Sequence, residues 1–318
     1  MTSKLRIATR GSALALRQTS LVIERLRAAH PDVDTEIVEV RTTGDKDSRP
    51  FSAIGGKGLF VAEVEHALLD GRADVAVHSA KDLTAELAEG CHIVCIPDRA
   101  LPNDVVLGGE GASGEERLGR LAPGSVVGTS SMRRRSLLNE AREDLKIVEF
   151  RGNIDTRLRK VDAGEVDVAI LAAAGLERLG TGASYGVLDD ARWIPAPAQG
   201  ALALEALVER DDLKKLFGNL NDERARAEID CERAFAARLE GGCSVPLGCR
   251  ARATEAGLVV TGFLGTPDGV YTVRDRISGP PGEAHQLGRE LADAIVASGG
   301  SEILEELKGE EPPEVPEP

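Results

Sequence analysis

Short apolar runs alternate with longer stretches of helical periodicity along the first two thirds of the chain. Lys4 to Ala8 reads as a strand. Leu14, Leu21 and Leu26 then mark a helix from Ala13 to about Ala29. A strand follows from Glu36 to Val40, then the glycine-rich Gly55-Gly56-Lys57-Gly58 and a helix from Leu59 to Leu69. The apolar run Asp74-Val75-Ala76-Val77 ends at His78-Ser79-Ala80-Lys81-Asp82. Strand and helix in alternation predict a parallel α/β architecture.

The same grammar then repeats. Ser125-Val126-Val127-Gly128 reads as a strand, Thr129-Ser130-Ser131 as a loop, and Met132 starts a helix. Ile147-Val148-Glu149-Phe150-Arg151 parallels Ile37-Val38-Glu39-Val40-Arg41, and Gly164 to Ala169 parallels Gly71 to Ala76. Matched segments in one order predict two lobes of related topology. Two proline-bearing connections, Pro97 to Asp104 and Ile194-Pro195-Ala196-Pro197, let the chain leave the first lobe, build the second and return. The expected division is 1–99 with 198–219 for lobe one, 100–197 for lobe two and 220–308 for a smaller α+β unit. Residues 309–318, acidic and proline-rich, read as a disordered tail.

Within the third unit a helix from Ala225 to Leu239 runs into Gly241-Gly242-Cys243-Ser244-Val245-Pro246-Leu247-Gly248. Glycines end helices because they reach φ > 0 without a Cβ clash. Pro246 and Gly248 are expected to keep the segment turned, with Cys243 at its tip. Leu258 to Phe263 and Gly269 to Ile277 flank the turn signal Thr266-Pro267-Asp268-Gly269, a hairpin, and a helix from Glu283 to Ala297 closes the unit.

Composition narrows the function. The 318 residues are 42% hydrophobic and 29% charged, with a net charge of -14. That balance opposes nucleic acid and anionic membrane as partners. The start of the chain has no apolar signal core, and no run approaches a membrane-spanning length. Five cysteines, an odd number in a long chain, fit a reducing cytoplasm better than a disulfide scaffold. Cys91, Cys95 and Cys231 sit in buried patterns and read as small core residues.

In such sheets ligands bind beyond the carboxyl ends of the strands. The residues there are Arg10 and Ser12, Arg41 and Thr43, then Ser79, Lys81 and Asp82. The second lobe adds Thr129, Ser130, Ser131, Arg133 and Arg134, then Arg151, Asn153 and Arg157. So many cations in an acidic protein predict a ligand with several carboxylates or phosphates. Arg133-Arg134-Arg135 also fits a solvated helix face, Lys81-Asp82 a surface pair, and His78 a satisfied strand-end histidine. Asp82, directly after a buried strand, is a candidate poised carboxylate. None of the five histidines offers Cys243 an obvious base, so a cysteine hydrolase is disfavoured, and neighbouring cations would favour attachment chemistry.

Seven segments carry a resemblance. They are Arg6 to Ser12, Gly55 to Phe60, His78 to Leu83, Val127 to Arg134, Arg151 to Arg157, Gln199-Gly200 and Leu239 to Gly248. In this order they closely resemble the porphobilinogen deaminase (hydroxymethylbilane synthase) family. The resemblance implies an α/β fold of two periplasmic-binding-protein-like (type II) lobes on a double hinge, plus a small C-terminal α+β domain. It implies a monomeric transferase that condenses four porphobilinogen molecules head to tail, releases ammonia at each addition, and finally hydrolyses off hydroxymethylbilane.

It further implies a dipyrromethane cofactor held through a thioether to Cys243, with Lys57, Ser79, Lys81, Asp82, Thr129, Ser130, Ser131, Arg133, Arg134 and Arg157 on the cofactor side. Asp82, Arg10, Arg151 and Arg157 become the catalytic set. Arg10, Ser12, Arg151, Arg157, Arg178 and Gln199 become the substrate contacts, and no metal is expected. Ala80, Thr84 and Ala198 depart from the family's common methionine, proline and glycine, and Ala53 from a lysine of some members. The alternative reading is a non-catalytic two-lobed solute-binding protein for a polycarboxylate.

Overall fold

β1 (Leu5–Arg10) is buried along most of its length and delivers Arg10 at its carboxyl end. The computed structural model describes residues 4–41, 61–240 and 245–309. Ser12 starts α1 (Ala13–Ala29) by accepting the Ala15 amide at 3.3 Å, satisfying one of the N–H groups a helix start leaves open. Gln18, Val22 and Leu26, four apart, form its buried stripe. β2 (Thr35–Val40) pairs parallel with β1. After α2 (Ala62–Leu69), β3 (Val75–Ser79) pairs parallel on the other side of β1, and β4 (Cys91–Cys95) lies at the sheet edge.

The chain then crosses to a second sheet. It builds β5 (Asp104–Leu107), α3 (Gly114–Gly119), β6 (Val126–Gly128), α4 (Met132–Ala141), β7 (Lys146–Val148), α5 (Ile154–Asp162), β8 (Val168–Ala172), α6 (Ala173–Leu179) and β9 (Tyr185–Val187). It returns as β10 (Leu202–Leu207) and α7 (Asp211–Phe217). The sheet orders are β2-β1-β3-β10-β4 and β7-β6-β8-β5-β9. The two sheets share one plan.

The sheets are not wholly parallel, as strand–helix alternation alone predicts. In each, the fourth place is taken by the strand that follows a crossing, β10 or β5, and it runs antiparallel to both neighbours. β7 is also shorter than expected. The Thr129 amide donates to the Val148 carbonyl and the Phe150 amide to Ser130 Oγ at 3.0 Å. The chain therefore leaves the sheet at Val148 and turns Arg151 toward the loops.

The third unit packs α8 (Glu223–Arg238) and α9 (Ala284–Ile295) on one antiparallel sheet of β11 (Leu247–Thr254), β12 (Gly257–Gly265) and β13 (Thr272–Gly279), followed by α10 (Ser301–Gly309). The two helices approach so closely that a side chain at Gly288 would run into the Cys231 carbonyl. Two expectations change here. Gly248 lies inside β11, so the strand begins directly after Pro246. The left-handed residue after α8 is Glu240, at φ 52, ahead of the glycine pair. Gly241, Gly242, Cys243, Ser244, the Gly55–Gly58 motif with Lys57, Thr43, Ala53 and the tail from 310 lie outside the described residues.

This unit touches both lobes. Phe263 of β12 is fully buried among Val127, Leu137 and Trp193 of the second lobe, a burial worth about 1.5–3 kcal/mol. Ala225 and Ile229 of α8 pack against Ala80, Leu83 and Ala198. No helix among the described residues is long and apolar enough to cross a membrane.

Candidate active site

β3 brings the first group of chemistry-bearing residues to one place. Beyond Ser79 the chain makes a short turn, Ala80–Asp82, whose first residue is buried and anchors it. Lys81 and Asp82 are left exposed, side by side. Arg10, Ser12, Gln18, Ser79 and Asp82 line a small recess of about 50 Å³. Gln18 and Ser79 are hydrogen-bonded at 2.9 Å. Gln18 escaped the sequence reading, although an amide on the apolar stripe of α1 is the kind of exception that marks a site.

His78, one residue earlier, lies 3.0 Å from Glu205 of β10, off hydrogen-bond alignment, with both side chains buried. His78 also contributes to the wall of the recess.

The second lobe contributes hydroxyls and cations at the start of α4. Ser131 caps the helix by accepting the Arg134 amide at 3.4 Å, Ser130 accepts from Phe150, and Thr129 Oγ1 accepts the Ser131 amide at 3.2 Å. Each oxygen is used as an acceptor, so each hydroxyl hydrogen remains to donate. A helix N-terminus adds partial positive charge at the same point.

Arg133 and Arg134 are not on a solvated face. They are 4% and 7% exposed and converge on Asp104, which is fully buried at the head of β5. Arg133 Nη1 donates to Asp104 Oδ2 at 2.7 Å, and Arg134 Nη2 to Oδ1 at 2.7 Å. Burial alone would raise this carboxyl, but Arg133 and Arg134 overcome it and hold it well below the usual carboxylate range. Asp104 was missed in the sequence because an acid closing a proline-bearing connection looks like a surface loop residue. The apolar Val105-Val106-Leu107 immediately after it was the available signal.

The lobes meet electrostatically at Lys81. Crowding by the surrounding walls lowers its ammonium to about 8; Asp82 opposes this, while Arg134 and Arg133 add like charge from the other lobe. Arg157 is likewise lowered to about 10 by burial, with Arg134 and Arg151 adding to the effect. Arg157 Nε donates to the Gly152 carbonyl at 2.9 Å, and Arg151 Nε to Glu149 at 2.6 Å. Arg178 stands at the return crossing, donating to the Gly200 carbonyl at 2.6 Å.

Gln199, expected among the substrate contacts, is 1% exposed, and its amide is engaged within the protein. It faces Lys81 and Asp104. The four described cysteines are unpaired, and burial pushes the thiols of Cys91, Cys95 and Cys231 up to about 12 and that of Cys249 well above its usual value. They are poor nucleophiles where they stand. This fits the core role expected of Cys91, Cys95 and Cys231.

What gathers here is a set of donors for carboxylates, with one exposed carboxylate among them. Residues 5–215 match the family model described as "Porphobilinogen deaminase, dipyromethane cofactor binding domain", and residues 226–297 match "Porphobilinogen deaminase, C-terminal domain". The porphobilinogen deaminase of Maridesulfovibrio salexigens is 41% identical over 306 residues, 96% of this chain and 98% of the relative. That of Trichlorobacter lovleyi is 42% identical over 306 residues, 96% of each chain. Among solved structures, the substrate binding domain of a putative molybdenum ABC transporter from Clostridium difficile is similar at 13% identity and a TM-score of 0.44, over 70% of this chain and 93% of that one.

Proposed function

The chain belongs to the porphobilinogen deaminase family, and from that premise we propose that the cleft between its lobes joins four porphobilinogen molecules head to tail, releasing ammonia at each addition and finally hydroxymethylbilane by hydrolysis. The activity is that of a transferase in tetrapyrrole biosynthesis. The observation that carries the assignment of roles is the opposition of one exposed carboxylate, Asp82, to a wall of cations and hydroxyl donors.

The family's cofactor is a dipyrromethane, a group with carboxylate side chains and pyrrole N–H donors. The residues present fit it. Lys81, Arg134 and the hydroxyls of Ser130 and Ser131 offer donors for the carboxylates, and Asp82 offers an acceptor for N–H. When bound, the group supplies the free pyrrole carbon on which the product grows. Cys243 is the thiol we assign to its attachment, and Lys57 is assigned to the cofactor side. Support comes from the other four cysteines, whose thiols are held protonated by burial.

Asp82 accepts the substrate's pyrrole N–H and so favours the electron shift that breaks the C–N bond. The nitrogen leaves as ammonia, and the positive charge left on the substrate's methylene and ring lies beside the carboxylate. The aminomethyl nitrogen is already protonated at neutral pH, so it leaves with its own protons and the ionised carboxylate has only to accept hydrogen bonds. Arg10, Ser12, Arg151, Arg157 and Arg178 hold the substrate's acetate and propionate groups and turn each addition into an oriented, effectively unimolecular encounter. Ser79 and Thr129 support the cofactor side.

We read the protein as a cytoplasmic monomer. Unpaired cysteines fit a reducing compartment, and a net charge of -14 disfavours nucleic acid and anionic membrane.

Asp82→Asn tests the central role. It keeps the shape of the side chain and removes its charge, so porphobilinogen consumption should fall by roughly a hundredfold or more while the covalent pyrrole mass stays on the protein. Turnover within a few-fold of the parent would remove Asp82 from the mechanism.

A further inference from the structure

We infer that Asp104 and Gln199 form a latch across the two hinge crossings, a positioning pair that sets Lys81 of one lobe against Arg133 and Arg134 of the other without touching substrate. The inference rests on the reading that this cleft takes carboxylate-bearing pyrroles.

The latch is continuous. Asp104 opens β5 at the end of the outward crossing, fully buried, and accepts from Arg133 Nη1, Arg134 Nε and Nη2, and Gln199 Nε2 at 2.7, 3.1, 2.7 and 2.9 Å. Gln199 lies on the return crossing. Its Nε2 also donates to the Pro102 carbonyl at 2.6 Å, so both amide hydrogens are used by oxygens of the outward crossing. With Nε2 committed to two oxygens, Oε1 must point the other way, and it meets Lys81 Nζ at 3.4 Å. A flipped amide would set oxygen against oxygen. One carboxylate and one amide thus carry contact from Arg134 in the second lobe to Lys81 in the first.

The charge count explains why a carboxylate is needed there. Three cations converge beside a buried point, and like charges in low dielectric repel strongly. Asp104 offsets one of the three and fixes the guanidinium planes through ion pairs on both of its oxygens. Asp82, beside Lys81, offsets a second, so one positive charge remains in excess for an anionic ligand. Gln199 adds no charge, but it holds the Lys81 ammonium at a defined place beside Asp82.

A double-mutant cycle on the holoenzyme separates positioning from mere stability. Gln199→Met keeps the volume and removes the amide, and Lys81→Met removes the ammonium. Thermal midpoint, covalent pyrrole mass, kcat and KM for porphobilinogen are measured for the parent, both singles and the double. The latch predicts that Gln199→Met lowers kcat/KM about tenfold in the parent, chiefly through KM, and less than twofold in the Lys81→Met background. Equal losses in both backgrounds, or no loss in a folded and pyrrole-loaded Gln199→Met, would overturn it. Should Gln199→Met not fold, Gln199→Asn, which keeps an amide one carbon short of Lys81, runs the same cycle with the same outcomes. A parent protein that neither carries pyrrole mass nor consumes porphobilinogen would sink the functional reading instead, a distinct result.

Discussion

Glu232 accepts the backbone amide of Ala198 at 2.7 Å, joining the C-terminal unit to the return crossing through a residue held at φ 62. The same carboxylate takes Arg99 Nη1 and Nη2 at 2.7 and 2.8 Å and the Ala251 amide at 2.7 Å. Both crossings and β11 are therefore tied to one fully buried acid on α8. In sequence, Cys243 follows soon after α8.

Ala198 is the position where the family resemblance calls for glycine, and its left-handed backbone is what glycine supplies. An L-residue there costs about 1–2 kcal/mol, while glycine costs back roughly 0.5–1 kcal/mol in the unfolded chain. Ala198→Gly should thus raise stability by about 0.5–1 kcal/mol, read as a small rise in melting midpoint. A drop would mean that the strain is relieved in some other way.

Glu232→Ala leaves Arg99 buried with Glu228 as its remaining carboxylate partner at 3.0 Å, and strands two backbone amides. Breaking a buried pair by removing one side costs about 3–5 kcal/mol. Denaturant unfolding should show a loss of that size, and a loss below about 1 kcal/mol would contradict the tie.

Lys81 gives the pH dependence. Its ammonium is lowered to about 8 by its crowded setting, against the pull of Asp82. Below that pH it is charged and attracts carboxylates; as pH rises through about 8 the charge is lost. KM for porphobilinogen should therefore climb on the alkaline side with a midpoint near 8. Lys81→Arg keeps its charge to much higher pH, so its alkaline limb should move upward. A parent profile flat to pH 10 would show that no Lys81 titration near 8 governs binding.

Much of this was legible before the structure. β1, β3, β6 and β8 follow from apolar runs ending in polar residues, and of those ends Arg10 and Ser79 border one recess with Asp82. Asp104 and Gln18 were not legible in the same way, because each is polar where local pattern predicts either a loop or a packed face. Only the partner brought from elsewhere explains them: Arg133 and Arg134 from α4, and Ser79 from β3. The bonds of Gln199 to Pro102 and Asp104 were equally illegible, because a glutamine beside glycine carries no local sign of partners on another crossing. The antiparallel strands β5 and β10 likewise depend on the direction of a crossing, which no local periodicity encodes.

The most direct measurement is the intact mass of the protein as purified, followed by peptide mapping. The account predicts an excess over the bare chain equal to two linked pyrrole units, carried by the peptide containing Cys243 and lost in Cys243→Ser together with activity. Fully active protein at the bare-chain mass, or the adduct on any of Cys91, Cys95, Cys231 or Cys249, would contradict it.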